Sequence, residues 1–484
     1  MDTPILGTSY VARSINAANN RMVNLFPEPT SEGGKTAGFL SRCPGLRLLA
    51  TVGVGPIRGM WVYGGYAYVV SGNSLYKLTT AFSATLLGTV TGTGPVSMTD
   101  NGTMLFIAAN PDAFTYYSDT NVFAQVTSSS FAGAKTVAFI DGYIVYNPPN
   151  TQLLYSVNTI VIGGGAINPL VYDLLNVAAA EGSPDLIQAI IPDHREIWVL
   201  GTNSVEVWYN AGTANFPFAR IQGAFNELGC SAAYSVAKLD NTLFWLGSDA
   251  RGKGIVYKAQ GYSGLRISTH AVEFAIQNYA DISDAVAYTY QQEGHSFYVL
   301  SFPSANTTWV YDVSVNGWHE RAGFVNGEFT RHRSQFQIAF ANEVVVGDYE
   351  NGNIYAFDLD VYADYTNVQR FVRSWRALPT GQNNLNRTAH HSLQVDIESG
   401  VGLDGTTQGT NPQVLLRWSD DGGHTWSNYY QGAIGPIGQF GKRVIWRRLG
   451  MTMRLRDRVY EISGSDPVKI AIMGAKLNIN ATDA

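Results

Sequence analysis

Cysteine is nearly absent from this chain: Cys43 and Cys230 are the only two among 484 residues. A fold stapled by disulfides needs more, and two thiols suit synthesis in a reducing cytosol. Charge is sparse as well, at 14% Asp, Glu, Lys and Arg with a net of −6. That balance argues against a protein that coats nucleic acid, because such proteins gain affinity by placing many cations on phosphates. The start, Met1-Asp2-Thr3-Pro4-Ile5, has no basic stretch followed by an apolar core, so no signal peptide is expected. Long apolar runs are missing too. The most apolar window, Ile160 to Ala180, is interrupted by Asn168, Pro169, Asp173 and Asn176. It reads as an insertion between repeat units, with a membrane-active loop as the alternative.

What the chain does hold is strand and turn material. Hydrophobic residues make up 45%, and 50 Gly, 27 Tyr and 22 Phe favour turns and strands over helices. No stretch has the composition of a disordered segment. A length of 484 residues exceeds a single ordinary core, so two or more units are expected.

One pattern recurs seven times: strand, tight turn, strand, loop, aromatic strand. Its clearest copy runs from Ser235 to Tyr257, with a turn at Asp240-Asn241. The others turn at Gly64-Gly65, Asn101-Gly102, Asp141-Gly142, Asp193-His194, Glu293-Gly294 and Asn342-Glu343. Successive turns are 37, 40, 52, 47, 53 and 49 residues apart. A period of roughly 40 to 50 residues with three or four short strands is the mark of propeller blades, since one small sheet cannot cover both its faces alone. The expected fold is all-β, a β-propeller of six to eight blades over residues 48–375, with two β-sandwiches as the competing arrangement.

The ends differ from the repeats. Residues 1–47 are rich in Pro and Gly and read as an extended arm, a candidate for contact with another subunit. Residues 376–484 read as a smaller C-terminal β domain, which the arm could complete. There His391 to Glu398 alternates as a strand does, and Arg443 to Arg458 reads as one long strand or a bent pair. From Met451 onward Met451, Met453 and Leu455 face one way and Arg454, Arg456 and Arg458 the other.

Two features of this C-terminal part stand out. Ser419, Asp421, Gly423 and Trp426 fit the Asp-box pattern Ser-x-Asp-x-Gly-x-x-Trp. Such a turn resembles those of sialidases, where the Asp and Ser side chains bond turn amides and the Trp plugs a neighbouring core. It is a folding device, and no spacing among the 38 acidic residues singles out a catalytic carboxylate pair. Lys442, Arg443, Arg447, Arg448, Arg454, Arg456 and Arg458 form the one basic cluster. It suits contact with an acidic protein, contact with DNA phosphates, or a solvated strand face. The eight histidines give no metal signature: His390 and His391 are adjacent and point to opposite faces of a strand. Gly163-Gly164-Gly165 lacks the Gly-Lys-Ser/Thr of a phosphate loop. No catalytic residue, cofactor or metal is expected.

Three stretches carry a family likeness. Val23 to Pro27 with Gly38 to Leu46, Asn203 to Tyr209, and Lys442 to Gly450 running into Pro467 to Leu477 resemble the packaged-DNA stabilisation proteins of short-tailed bacteriophages, also called tail nozzle or tail hub proteins. The resemblance implies a structural virion component made in the bacterial host cytoplasm, a β-propeller subunit in a ring of six below the portal and its adaptor. The ring would extend the DNA channel, help retain the packaged genome until ejection, and carry the tail needle and often the tailspikes. A lumen of low, neutral to acidic charge would let DNA slide, leaving the basic strand to a protein neighbour. A carbohydrate-binding propeller of a tail or cell surface is the competing class, with a sialidase-like glycosidase behind it.

Overall fold

The computed structural model describes all residues except 31, 161–168, 181, 250, 251, 382–385, 453–456 and 482–484. Strands dominate, and the α-helix His270–Gln277 is capped by Thr269, whose side chain accepts from the Val272 amide.

Among the described residues the repeats form seven antiparallel blades. Their innermost strands include Ile57–Tyr63, Ser97–Asp100, Thr136–Ile140, Ile187–Asp193, Ala237–Leu239, Val286–Gln292 and Ser334–Phe340. All seven contribute to the lining of one axial cavity. Tight left-handed turns join first strand to second. At Asp240-Asn241 φ is 48° and 59°, and at Glu293-Gly294 it is 47° and 84°, as type I′ hairpins require. In blades four and seven the left-handed pairs are His194-Arg195 and Ala341-Asn342, each displaced by one residue from the turn read in the sequence.

Blades one to six each add an outer fourth strand of their own, such as Ala84–Thr89 and Val122–Gln125. Those of blades one, two and five are largely exposed, so they lack the alternation that marks a half-buried strand, whereas Gly317–Glu320 of blade six is buried throughout. Blade five departs in another way: its inner strand is broken by a 3-10 turn at Ala233–Ser235 between Gly229–Cys230 and Ala237–Leu239.

Packing discriminates the propeller from a pair of sandwiches. Each blade buries both faces against its neighbours, so an apolar cluster lies between every successive pair. The series closes on itself where Ile338, Phe340 and Val345 of blade seven meet Ile57 and Val69 of blade one. A closed series needs a central axis.

The ring is fastened by the start of the chain. Gly45–Thr51 supplies the outer strand of blade seven, pairing antiparallel with Asn353–Asp358. Gly45 lies so close that a Cβ there would stand 2.4 Å from the Val361 carbonyl oxygen. Upstream, Leu25–Pro29 and Gly38–Arg42 join Ala471–Ala481, Thr388–Ile397 and Val444–Arg447 in one sheet of a C-terminal sandwich. Its second sheet runs Met22–Val23, Phe371–Arg376, Val459–Gly464, Gln413–Ser419 and Tyr430–Ala433. Val23 also pairs in parallel with Glu320 of blade six, so this sheet is continuous with a propeller blade. Met22, Leu25 and Leu40 are fully buried in the sandwich core beside Trp375, Leu393 and Tyr460. The arm's apolar residues are therefore spent within the subunit, which removes the basis for reading it as a free contact arm.

Two other expectations are corrected. The apolar stretch 160–180 falls inside blade three, between Leu153–Asn158 and its outer partner Val177–Ala179, and not between blades. Its Gly163-Gly164-Gly165 lies outside the described residues. Arg443 to Arg458 is neither one strand nor a bent hairpin. Val444–Arg447 pairs with Thr388–Ile397 in one sheet, and Val459–Gly464 belongs to the other. The chain leaves the first strand through Arg448 and Gly450, at φ 61° and 75°.

Candidate interaction surfaces and the axial cavity

The axial cavity measures about 420 Å³ and is walled by the inner strands, with Met60, Met98, Val137 and Ile190 among its apolar lining. That is the volume of a small-ligand pocket, far below what a duplex with a major groove roughly 12 Å wide demands. Its described lining contains no Asp or Glu, so the cavity supplies no carboxylate pair for glycoside hydrolysis. Lys238 belongs to the lining, but its ammonium is held by Asp193 at 2.6 Å.

The Asp-box is fully formed. The Ser419 hydroxyl accepts from the Gly423 amide at 2.8 Å, and Asp421 accepts from the Thr425 amide at 2.8 and 3.0 Å and from its hydroxyl at 2.6 Å. Desolvation raises the Asp421 carboxyl, and the hydrogen bonds from Ser419, Thr425 and the His424 amide together outweigh it and hold the group well below the usual range. Trp426 does not plug a core. It is half-buried, donates to the Gly423 carbonyl at 3.1 Å and carries the Arg417 guanidinium 4.5 Å above its ring. The turn instead receives the N-terminal segment: Asn19 donates to the Gly422 carbonyl at 3.1 Å, and a Cβ on Gly423 would fall 2.1 Å from the Asn19 side chain.

The basic cluster divides into two groups with different fates. Lys442, Arg443, Arg447 and Arg448 are exposed on and beside Val444–Arg447, the outer strand of its sheet. None of the four makes an ion pair among the described residues, and Arg443 reaches only the Gln394 amide oxygen. Cations on an edge strand also discourage unwanted strand pairing, which is the bland account of them. Arg458 is different: it is 2% exposed, forked onto Asp420 at 2.6 and 2.8 Å, and donates to the Leu449 and Met451 carbonyls. Burial opposes its charge, and the hydrogen bond and charge of Asp420 together with Tyr460 outweigh that and raise its pKa. It joins the sandwich internally and is no surface contact. Arg454 and Arg456 lie outside the described residues.

Charge is segregated along the chain in a way that a count of motifs does not reveal. Residues 48–375 hold 15 Lys and Arg against 26 Asp and Glu, a net of −11, while the remainder holds 17 against 12, a net of +5. Asp119, Asp173, Asp240 and Glu293 are exposed in first-to-second or third-to-fourth strand connections and Asp360 just after the third strand of blade seven, positions that an antiparallel blade places at the same end. None of these five forms an ion pair among the described residues. The signal was available in the sequence as a difference between halves rather than as a local run.

His390 and His391 do face opposite ways, the first 2% exposed and the second on the surface. His390 lies in a buried chain between Thr388 at 2.9 Å and Tyr460 at 2.8 Å. No group of three metal-ligating side chains occurs among the described residues, and no described helix is long and apolar enough to cross a membrane.

Comparison with known proteins gives two family matches that tile the chain. A family model described as Bacteriophage P22 Gp10, beta-propeller, matches residues 1–362, and one described as Bacteriophage P22 Gp10, beta-sandwich, matches residues 375–480. No curated protein matches. Similar solved structures include a chain of the mitotic checkpoint complex, at 11% identity and TM-score 0.43 over 69% of this chain and 96% of that one. The Neurospora crassa Pan2 WD40 domain is similar at 8% identity and TM-score 0.39, over 63% of this chain and 89% of that one.

Proposed function

Because this chain belongs to the bacteriophage P22 Gp10 family, the tail hub or nozzle type of podoviruses, and is thus a phage tail structural protein, we propose that it builds a ring of six copies below the portal and adaptor. In this reading the ring prolongs the DNA channel, holds the packaged genome until ejection, and carries the tail needle and tailspikes. Assembly takes place in the host cytoplasm.

The observation that carries the reading is the family match over both units of the chain. Two physical arguments support it. The cavity within one propeller is too small for a duplex, so a DNA conduit requires several subunits around a common axis. One chain also carries both halves of an electrostatic pair, with exposed Lys442, Arg443, Arg447 and Arg448 on the sandwich and exposed carboxylates at one end of the propeller. A head-to-tail ring uses two different patches of the same subunit, and opposite charge fixes their register. The basic edge accordingly meets a protein neighbour and leaves the lumen poor in cations.

The experiment is assembly of purified protein onto DNA-filled heads bearing portal and adaptor, viewed by negative-stain microscopy. A six-fold ring and retained genome are expected. The quadruple charge reversal of Lys442, Arg443, Arg447 and Arg448 to Glu should fold normally and fail to form the ring. Heads that keep their genome and become infectious without this protein would overturn the proposal.

A further inference from the structure

The core between blades six and seven contains a charge without a counter-charge among the described residues. His319, on the Gly317–Glu320 strand, and Arg321 are two residues apart on extended chain, so their side chains share one face. Both are 0% exposed. They converge on Phe297, whose ring centre is 6.0 Å from the His319 ring and 5.5 Å from the Arg321 guanidinium carbon. Tyr290 and Phe357 enclose the same guanidinium at 5.4 and 5.2 Å. One Arg321 nitrogen, Nη2, donates to the Tyr290 hydroxyl at 2.5 Å. Among the described residues Nε and Nη1 of Arg321 and both ring nitrogens of His319 have no nitrogen or oxygen partner, and the Cys43 thiol lies against the guanidinium.

No carboxylate pairs with Arg321 among the described residues. The buried Asp312 of the same blade pairs with His295 at 2.7 Å. His319 cannot share the charge, because burial and then the positive Arg321 and His295 keep it neutral, far below its ordinary pKa. Aromatic faces offset part of the cost of burying a guanidinium, but they leave its in-plane N–H groups unbonded. Buried charges are otherwise paired or coordinated, since leaving one alone in a medium of low polarity is costly. A water could accept from the N–H groups without balancing the charge. An anion does both.

We propose that a small inorganic anion, chloride in ordinary buffer, is held between Arg321 and His319, accepting from Nε and Nη1 of the first and the single ring N–H of the second. The site lies beside Phe26 and Cys43 of the N-terminal segment, in the apolar cluster that blade six shares with blade seven. Closure of the propeller is then linked to anion binding, and a tenfold rise in a saturating anion multiplies the folded-to-unfolded ratio tenfold.

The test uses the full chain and bromide as the probe. Crystals grown in sodium bromide should show an anomalous peak between Arg321 and His319, where a peak-free map with an ordered water would overturn the proposal. The midpoint of thermal unfolding should rise with sodium chloride or bromide and stay flat in sodium gluconate of equal ionic strength. Arg321→Met should abolish that difference. Equal midpoints for the wild-type protein in all three salts would refute the linkage, and the bromide map decides the matter should the variant not fold.

Discussion

Leu46→Ala tests whether the first residues of the chain fasten the propeller. Leu46 lies on the Gly45–Thr51 strand, is 1% exposed, and packs with Tyr288 and Phe297 of blade six and Val346 and Phe357 of blade seven. Truncation removes three carbon atoms, worth about 2.4 kcal/mol at roughly 0.8 kcal/mol per buried methylene. The cavity left behind takes the expected loss to about 2–5 kcal/mol. Leu86→Ala, on the outer strand of blade one and 60% exposed, is the control and should change stability by less than about 0.5 kcal/mol. Urea unfolding followed by tryptophan fluorescence reads both. If the two variants unfold at the same midpoint, the strand does not close the ring and the assignment is wrong. Deleting residues 1–51 is expected to leave no folded propeller, because it opens the edge of Asn353–Asp358 and strips strands from both sandwich sheets.

Three further outcomes follow from the sandwich. Asp420→Asn leaves Arg458 buried without its counter-charge and should cost about 3–5 kcal/mol in the same urea assay. Burial, then the positive charge of Arg458, lowers the His390 pKa to about 3. Below pH 6.5 the unfolded chain therefore takes up a proton that the folded chain refuses until about pH 3, so stability rises with pH across that window and is lost on acidification. The slope is at most about 1.4 kcal/mol per pH unit, and His390→Asn should flatten it in unfolding series from pH 7 to 4. His295 acts oppositely, since its hydrogen bond to Asp312 raises its pKa. Gly423→Ala places a side chain at φ 111° and against Asn19, and should cost about 1–3 kcal/mol while exposing residues 16–20 to limited proteolysis.

The repeat was legible because its period lies in local chemistry. Left-handed turn residues such as Asp240-Asn241 and Glu293-Gly294, followed by a buried second strand and an aromatic third, fix a blade without reference to anything distant. The Asp-box was legible for the same reason: all its bonds join residues within four positions of one another. The outer strands were not, since exposed segments such as Val122–Gln125 carry no alternation to read. Nor could the basic cluster be sorted. Arg458 and Arg447 look alike in sequence, and only the approach of Asp420 from 38 positions away buries the one and leaves the other on an edge.

By itself the chain's order of residues determined that small aromatic sheets would repeat and that a different β unit would follow them. Tertiary structure decided the number of blades, because the seventh is finished by a strand about 300 residues distant. It also decided that the first fifty residues belong to the body of the subunit. Pairings such as Val23 with Glu320 join chain segments whose sequences hold no record of each other, and the free energy that selects them comes from burying Met22, Leu25 and Leu40 together with the last strands of the chain.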